Sequence, residues 1–166
     1  MDYGTRVFEA VGVPTDEAQW VTDCLVTANL KGVDSHGIQQ VPGYVKQVQS
    51  GRLKPGAQMT ILKETPAVTI VDGYGGFGYS IARQAMELTM KKAKKIGVAF
   101  SGLHRLGHIG RVGRWVEMAL ENDMIGIASQ PGGIFVAPWG GIDRKLPINP
   151  VGVAIPTGSG SPLVID

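Results

Sequence analysis

Apolar residues in the first third of the chain recur at helical spacing. In TDEAQWVTDCLVTANLK (15–31), Val21, Leu25 and Ala28 fall at i, i+4 and i+7. This predicts a helix with Thr15 as N-cap, Asp16 and Glu17 in the first turn and Gly32 at its end. DSHGIQQVPGYVKQVQSG (34–51) carries a second helical pattern through Val41, Val45 and Val48, with Pro42 expected in the first turn or at a kink. From Met59 the period changes. MTILKE (59–64) and AVTIVDG (67–73) are short β-branched runs separated by Thr65-Pro66 and read as two adjacent strands. YSIARQAMELTMKKAKKIG (79–97) returns to helical spacing at Ile81, Ala85, Leu88 and Ile96, with Gly97 as its stop.

Alternation then continues. VAFSGL (98–103) reads as a strand, RVGRWVEMALEND (111–123) as a helix and IGIASQ (125–130) as a strand; a loop-rich stretch follows, then VGVAIP (151–156) and PLVID (162–166) around the turn TGSGS. The order from residue 67 is β-α-β-α-β, which predicts an α/β fold: an N-terminal helical segment, 1–56, followed by a helix-flanked mixed sheet in an α/β domain, 57–166. A domain rarely closes on the last residue of an apolar strand, so the stop at Asp166 leads us to expect a portion of a longer protein, incomplete at its C-terminus.

Composition removes several classes of function. Sixteen Lys and Arg oppose 14 Asp and Glu in 166 residues, a net charge of +2, and Lys91, Lys92, Lys94 and Lys95 end an amphipathic helix. A nucleic-acid partner is not expected. The 24 glycines follow no fixed period, which excludes collagen and low-complexity disorder. No signal-like or membrane-spanning apolar run is present, and the single cysteine, Cys24, fits a reducing, cytoplasmic setting.

Candidate chemistry gathers in four places. Gly73-x-Gly75-x-x-Gly78 follows a strand and precedes a helix, like a dinucleotide fingerprint, but the next predicted strand ends at Leu103-His104 with no acid for a ribose; a simple chain reversal is the plainer reading. Ser35-His36-Gly37 offers an imidazole in a glycine-flanked loop, or an ordinary first-turn residue. GLHRLGHIGRVG places His104 and His108 four apart; with no third ligand nearby no metal is expected, and general acid/base work needs only a cleft and a partner. Asn149, between Ile148 and Pro150, and Asp166, at a strand end, present an amide and a carboxylate, or a turn residue and a cap.

Taken together GVDSHGI, PGYV, VDGYGGFG, KKAKKIGVAF, RLGHIGRVG, IGIASQ, APWGG, INP and LVID resemble, in order, the malate/L-lactate dehydrogenase family. That family includes ureidoglycolate, sulfolactate and Δ1-piperideine-2-carboxylate enzymes and is distinct from the Rossmann-fold lactate and malate dehydrogenases. The resemblance implies a non-Rossmann, L-sulfolactate dehydrogenase-like fold and hydride transfer between NAD or NADP and carbon 2 of a small 2-hydroxy or 2-oxo acid. It also implies a homodimer. By the same resemblance His108 is the expected proton acceptor, with His36 sharing the proton work; Ser35, Gln40 and Asn149 are expected to contact substrate, and Gly132 and Asp166 the cofactor. Two departures stand out. Gln39 and Gln40 occupy positions where the family carries an arginine suited to a substrate carboxylate, and family members continue well past Asp166. A non-catalytic chain that folds around an incomplete site is therefore the alternative.

Overall fold

The computed structural model describes residues 2–158 and 160–166. Contacts divide the chain into one unit that runs to Arg111 and a second from Val112 to Asp166.

The first unit opens with helix α1 (Asp2–Glu9) and helix α2 (Thr15–Leu30). The hydrophobic pattern did not reveal α1, because it is only 8 residues long and buries just Gly4, Thr5 and Phe8. A helix that short is held by tertiary packing more than by its own periodicity; here Phe8 meets Phe77 edge-on at 5.9 Å. Thr15 is not the N-cap of α2. Pro14 holds that position, and the Thr15 hydroxyl instead donates to Glu9 at 2.7 Å. Gly32 follows the helix with φ of 75°. Residues 34–40 form two 3₁₀ turns (Asp34–His36 and Ile38–Gln40), and α3 (Val41–Gln49) begins only where Pro42 enters its first turn.

The sheet of this unit has the order β1-β2-β3, from β1 (Thr60–Glu64), β2 (Val68–Gly76) and β3 (Phe100–Leu106). β1 pairs antiparallel with β2, and β2 parallel with β3 across α4 (Gly78–Ile96). The mixed, helix-flanked sheet expected from the alternation is thus present. Its third strand runs later than VAFSGL predicts, because parallel pairing with Val68–Asp72 carries it through His104. Gly97 ends α4 in the left-handed conformation, φ 91°. The division after Arg111 differs from a boundary at 56/57, and side chains explain why. Trp20 of α2 donates to the Tyr79 carbonyl at 3.0 Å, and Tyr44 of α3 packs against Phe77 and Tyr79, so the helical segment shares the core of the first sheet.

In the second unit α5 (Gly113–Leu120) buries Trp115, Val116 and Ala119 against a separate antiparallel sheet of order β4-β7-β8: β4 (Gly126–Ser129), β7 (Val151–Ile155) and β8 (Leu163–Ile165). IGIASQ therefore joins a second sheet, pairing with a strand some two dozen residues downstream instead of extending the first. Within the stretch read as loop, β5 (Ile134–Val136) and β6 (Leu146–Pro147) make a short antiparallel ladder. The TGSGS turn includes Ser159, which lies outside the described residues.

Candidate active site

The site of the first unit is assembled from three segments: the 3₁₀ turns after α2, the face of α3, and the loop after β3. Asn29, near the end of α2, braces the turns from both sides. Its amide donates to Asp34 Oδ1 at 2.5 Å and its carbonyl accepts the Ile38 N–H at 2.8 Å. Ser35 Oγ sits 2.9 Å from His36 Nδ1. Gln40 and Gln39 turn their amides onto the backbone, donating to the carbonyls of Ser35 at 2.6 Å and Asp34 at 2.7 Å. They brace the turn and put no positive charge there.

His108 lies in the loop beyond β3, with its ring 5.4 Å from that of His36 and inclined to it by 33°. Close backbone packing fixes the loop. Gly107 donates to the Gly76 carbonyl at 2.9 Å, and a Cβ at Gly78 would fall 2.1 Å from the Gly107 carbonyl oxygen and 2.4 Å from that of His108. Gly110, at φ 70°, leaves room for Tyr79, whose hydroxyl a Cβ there would approach to 2.3 Å. These contacts decide the meaning of the glycine motif. Gly73, at the bulged end of β2, and Gly78, opening α4, admit protein backbone and side chains where a fingerprint would admit a pyrophosphate.

Tyr44 is the residue that the sequence pattern passed over. It is buried on α3, and its hydroxyl lies 2.8 Å from His108 Nδ1 and 3.4 Å from the Tyr79 hydroxyl. Burial raises the pKa of both phenols, so both remain protonated. Desolvation, and secondarily the charge of His36, lower the pKa of His108 below the ordinary histidine value. At neutral pH its imidazole is therefore uncharged and able to accept a proton. Tyr44 was legible in principle: it falls three residues after Val41 and four before Val48, so it shares their face, and a hydroxyl on a buried face calls for a partner.

His104 belongs to β3 and is exposed, so its four-residue spacing from His108 is not helical. Among the described residues no group of three His, Cys, Asp or Glu side chains could hold a metal ion, and no helix is long and apolar enough to cross a membrane.

The remaining candidates lie in the second unit. Asn149 is exposed just beyond β6, and Asp166 is exposed immediately after β8. Gly132 is exposed too, but its N–H already donates to the Ile148 carbonyl at 2.5 Å.

An α/β chain whose glycine turn admits its own backbone in place of a phosphate, with an uncharged imidazole beside a second histidine, is a non-Rossmann scaffold. The family model described as malate/L-lactate dehydrogenase matches residues 1–166, and the chain belongs to that family. It is 37% identical over 161 residues to malate dehydrogenase of Pyrococcus abyssi, covering 97% of this chain and 44% of that protein. To L-sulfolactate dehydrogenase of Methanocaldococcus jannaschii it is 38% identical over 148 residues, 89% of this chain and 43% of that protein. The solved structure of malate dehydrogenase from Pyrococcus horikoshii OT3 superposes with a TM-score of 0.93 at 36% identity, covering 99% of this chain and 47% of the other. The chain thus spans less than half the length of these relatives.

Proposed function

We propose that this protein is a 2-hydroxyacid dehydrogenase that interconverts a small 2-hydroxy acid and its 2-oxo form with NAD or NADP, with His108 as the proton acceptor. The observation that carries this reading is the 2.8 Å contact between Tyr44 Oη and His108 Nδ1. It commits one ring nitrogen to the protein and leaves Nε2 for the substrate hydroxyl. For Nε2 to accept a proton, Nδ1 must hold its own hydrogen and donate it to Tyr44, and Tyr44 then directs its hydrogen to Tyr79. The raised phenol pKa values keep that arrangement neutral. His36 lies beside the acceptor, held by Ser35, and both line the substrate in this reading. Gln40 supports the turn and leaves recognition of the substrate carboxylate to other groups.

Support for a nicotinamide dinucleotide comes from the relatives being dehydrogenases. The exposed Asp166 carboxylate has the chemistry to accept hydrogen bonds from a ribose diol, so it is the residue we assign to the cofactor. Gly132, also expected at the cofactor, has both its N–H and the space a side chain would fill taken up by Ile148, so its part there is no more than that of an exposed backbone segment. When bound, the nicotinamide supplies the hydride acceptor for carbon 2. The proposal extends to a homodimer in the cytoplasm, a setting that suits one buried cysteine.

The test is turnover of L-malate and L-sulfolactate with NAD and NADP, in parallel with an NADH fluorescence titration, on the wild-type protein and on His108→Gln. The reading expects wild-type turnover and a fall of about 10²–10⁴ in kcat in the variant, with NADH binding retained. Unchanged turnover in His108→Gln removes the assignment of the acceptor. A folded wild-type chain that binds no NADH saturably is the non-catalytic alternative.

A further inference from the structure

Three residues before His108 lies a cluster that the reaction itself does not use. Asp72 is buried at the point where β2 loses its regular pairing with β3. Its carboxylate accepts the Arg105 Nε–H at 2.9 Å and a second contact from Arg105 Nη2, and also the Tyr74 N–H at 2.9 Å. The Arg105 guanidinium lies 5.0 Å from the centre of the Tyr74 ring. Both Tyr74 (φ 50°) and Arg105 (φ 53°) occupy the left-handed region, which a side chain with a Cβ adopts only when its surroundings impose it. One carboxylate thus holds two strained residues on adjacent strands.

The consequence is a change of register. Asp72 pairs with His104 and the next ladder pair is Gly76 with Leu106, so Gly73, Tyr74 and Gly75 bulge opposite Arg105 alone. The bulge brings the Gly76 carbonyl to the Gly107 N–H, the residue before His108. Without the clasp, relief of the two left-handed conformations would let β3 continue in regular register and move the origin of the His108 loop.

We propose that the Asp72–Arg105 pair is a positioning device that sets the His108 ring against Tyr44, acting through the bulge. This rests on His108 being the proton-transfer group, and a bidentate guanidinium–carboxylate clasp is suited to the task because it fixes orientation as well as distance. The strong hold of Arg105 on the Asp72 carboxyl, which lies below the usual carboxylate pKa, agrees with the geometry.

The experiment compares Arg105→Ala, Arg105→Lys and Asp72→Asn with Tyr44→Phe. The last acid variant keeps an oxygen for the Tyr74 N–H while removing the charge. Long-range ¹H–¹⁵N spectra of the imidazoles read the tautomer of each of the three histidines, assigned by His→Gln variants, and steady-state kinetics read kcat and KM apart. Expected in Arg105→Ala and Asp72→Asn are His108 signals displaced to the pattern of Tyr44→Phe with His36 unmoved, and a kcat about tenfold lower at a nearly constant KM. Ethylguanidinium added to Arg105→Ala should restore both readings. Unchanged His108 signals in a folded Asp72→Asn or Arg105→Lys overturn the proposal, as does a loss confined to KM. If the wild-type protein turns over no substrate, the dehydrogenase reading fails on its own and the imidazole spectra still decide whether the clasp positions the ring.

Discussion

The two units of the chain differ in how much of their candidate chemistry they hold in place. Around His108 in the first unit, glycines lie where backbone meets backbone, the ring nitrogen has a buried hydroxyl partner, and two strained residues are clamped by one carboxylate. Residues 131–149 of the second unit are almost wholly exposed, with Phe135, Trp139 and Ile142 among them. Gly140 and Gly158 there face open space. The groups around His108 are thus held within one unit, whereas the stretch that carries Gly132 and Asn149 leaves Ile134, Phe135, Trp139 and Ile142 exposed. Preorganisation belongs to the histidine; the residues proposed for the cofactor, Gly132 and Asp166, lie on exposed surface.

The strongest way to break this contrast is a methyl group. Gly78→Ala places a carbon against two carbonyl oxygens that belong to fixed backbone, and it should cost about 3 kcal/mol in urea unfolding followed by circular dichroism. Gly158→Ala meets nothing within 4 Å and should stay within about 0.5 kcal/mol of wild type. Equal losses from the two would show that the glycines of the first unit are not the rigid element.

A smaller change sharpens the same point. Tyr44→Phe removes one hydroxyl and leaves the ring packed on Phe77 and Tyr79. We expect a loss of about 1 kcal/mol in stability. In the dehydrogenase reading kcat falls about tenfold as the imidazole samples both tautomers, measured with saturating substrate.

Much of this was legible in the sequence, and what was hidden shares a physical cause. The helical period of 79–97 and the stop at Gly97 are local signals, and so is the position of His108 in a glycine-rich loop after a strand. Tyr44, Asp72 and Arg105 act on partners 64, 33 and 33 residues away, and no periodicity carries such pairings. Thr15 misled for the opposite reason: a good local cap was drawn off by Glu9. The sorting of β4 into a second sheet depends on β7, a partner that alternation cannot specify.

Titration gives a gentler probe. The pKa of His108 is lowered in the folded state, so between that value and the ordinary histidine pKa of about 6.5 the unfolded chain binds a proton that the native chain does not. Stability therefore falls as pH drops through this window, and it is regained as pH rises above it. His108→Gln should flatten that part of a stability-versus-pH curve obtained from urea midpoints. In the dehydrogenase reading, the acid limb of kcat/KM for oxidation should likewise lie below 6.5 in the wild-type protein. A curve that keeps its slope in the variant would place the titrating group elsewhere.

The smallest expected effect tests the second unit directly. Trp139 has a relative exposure of 105%, so it contributes no buried area for the folded state to lose, in contrast with Trp115 of the same unit at 3%. Trp139→Ser should leave the unfolding midpoint within about 0.5 kcal/mol of wild type, while Trp115→Ala should cost about 3–5 kcal/mol. Light scattering at rising concentration adds the other half, because removal of an exposed indole from an apolar patch should reduce self-association. If Trp139→Ser instead destabilises the protein by more than about 1 kcal/mol, the hairpin between β5 and β6 is packed in solution. The contrast between a held histidine and an open second-unit surface would then have to be abandoned.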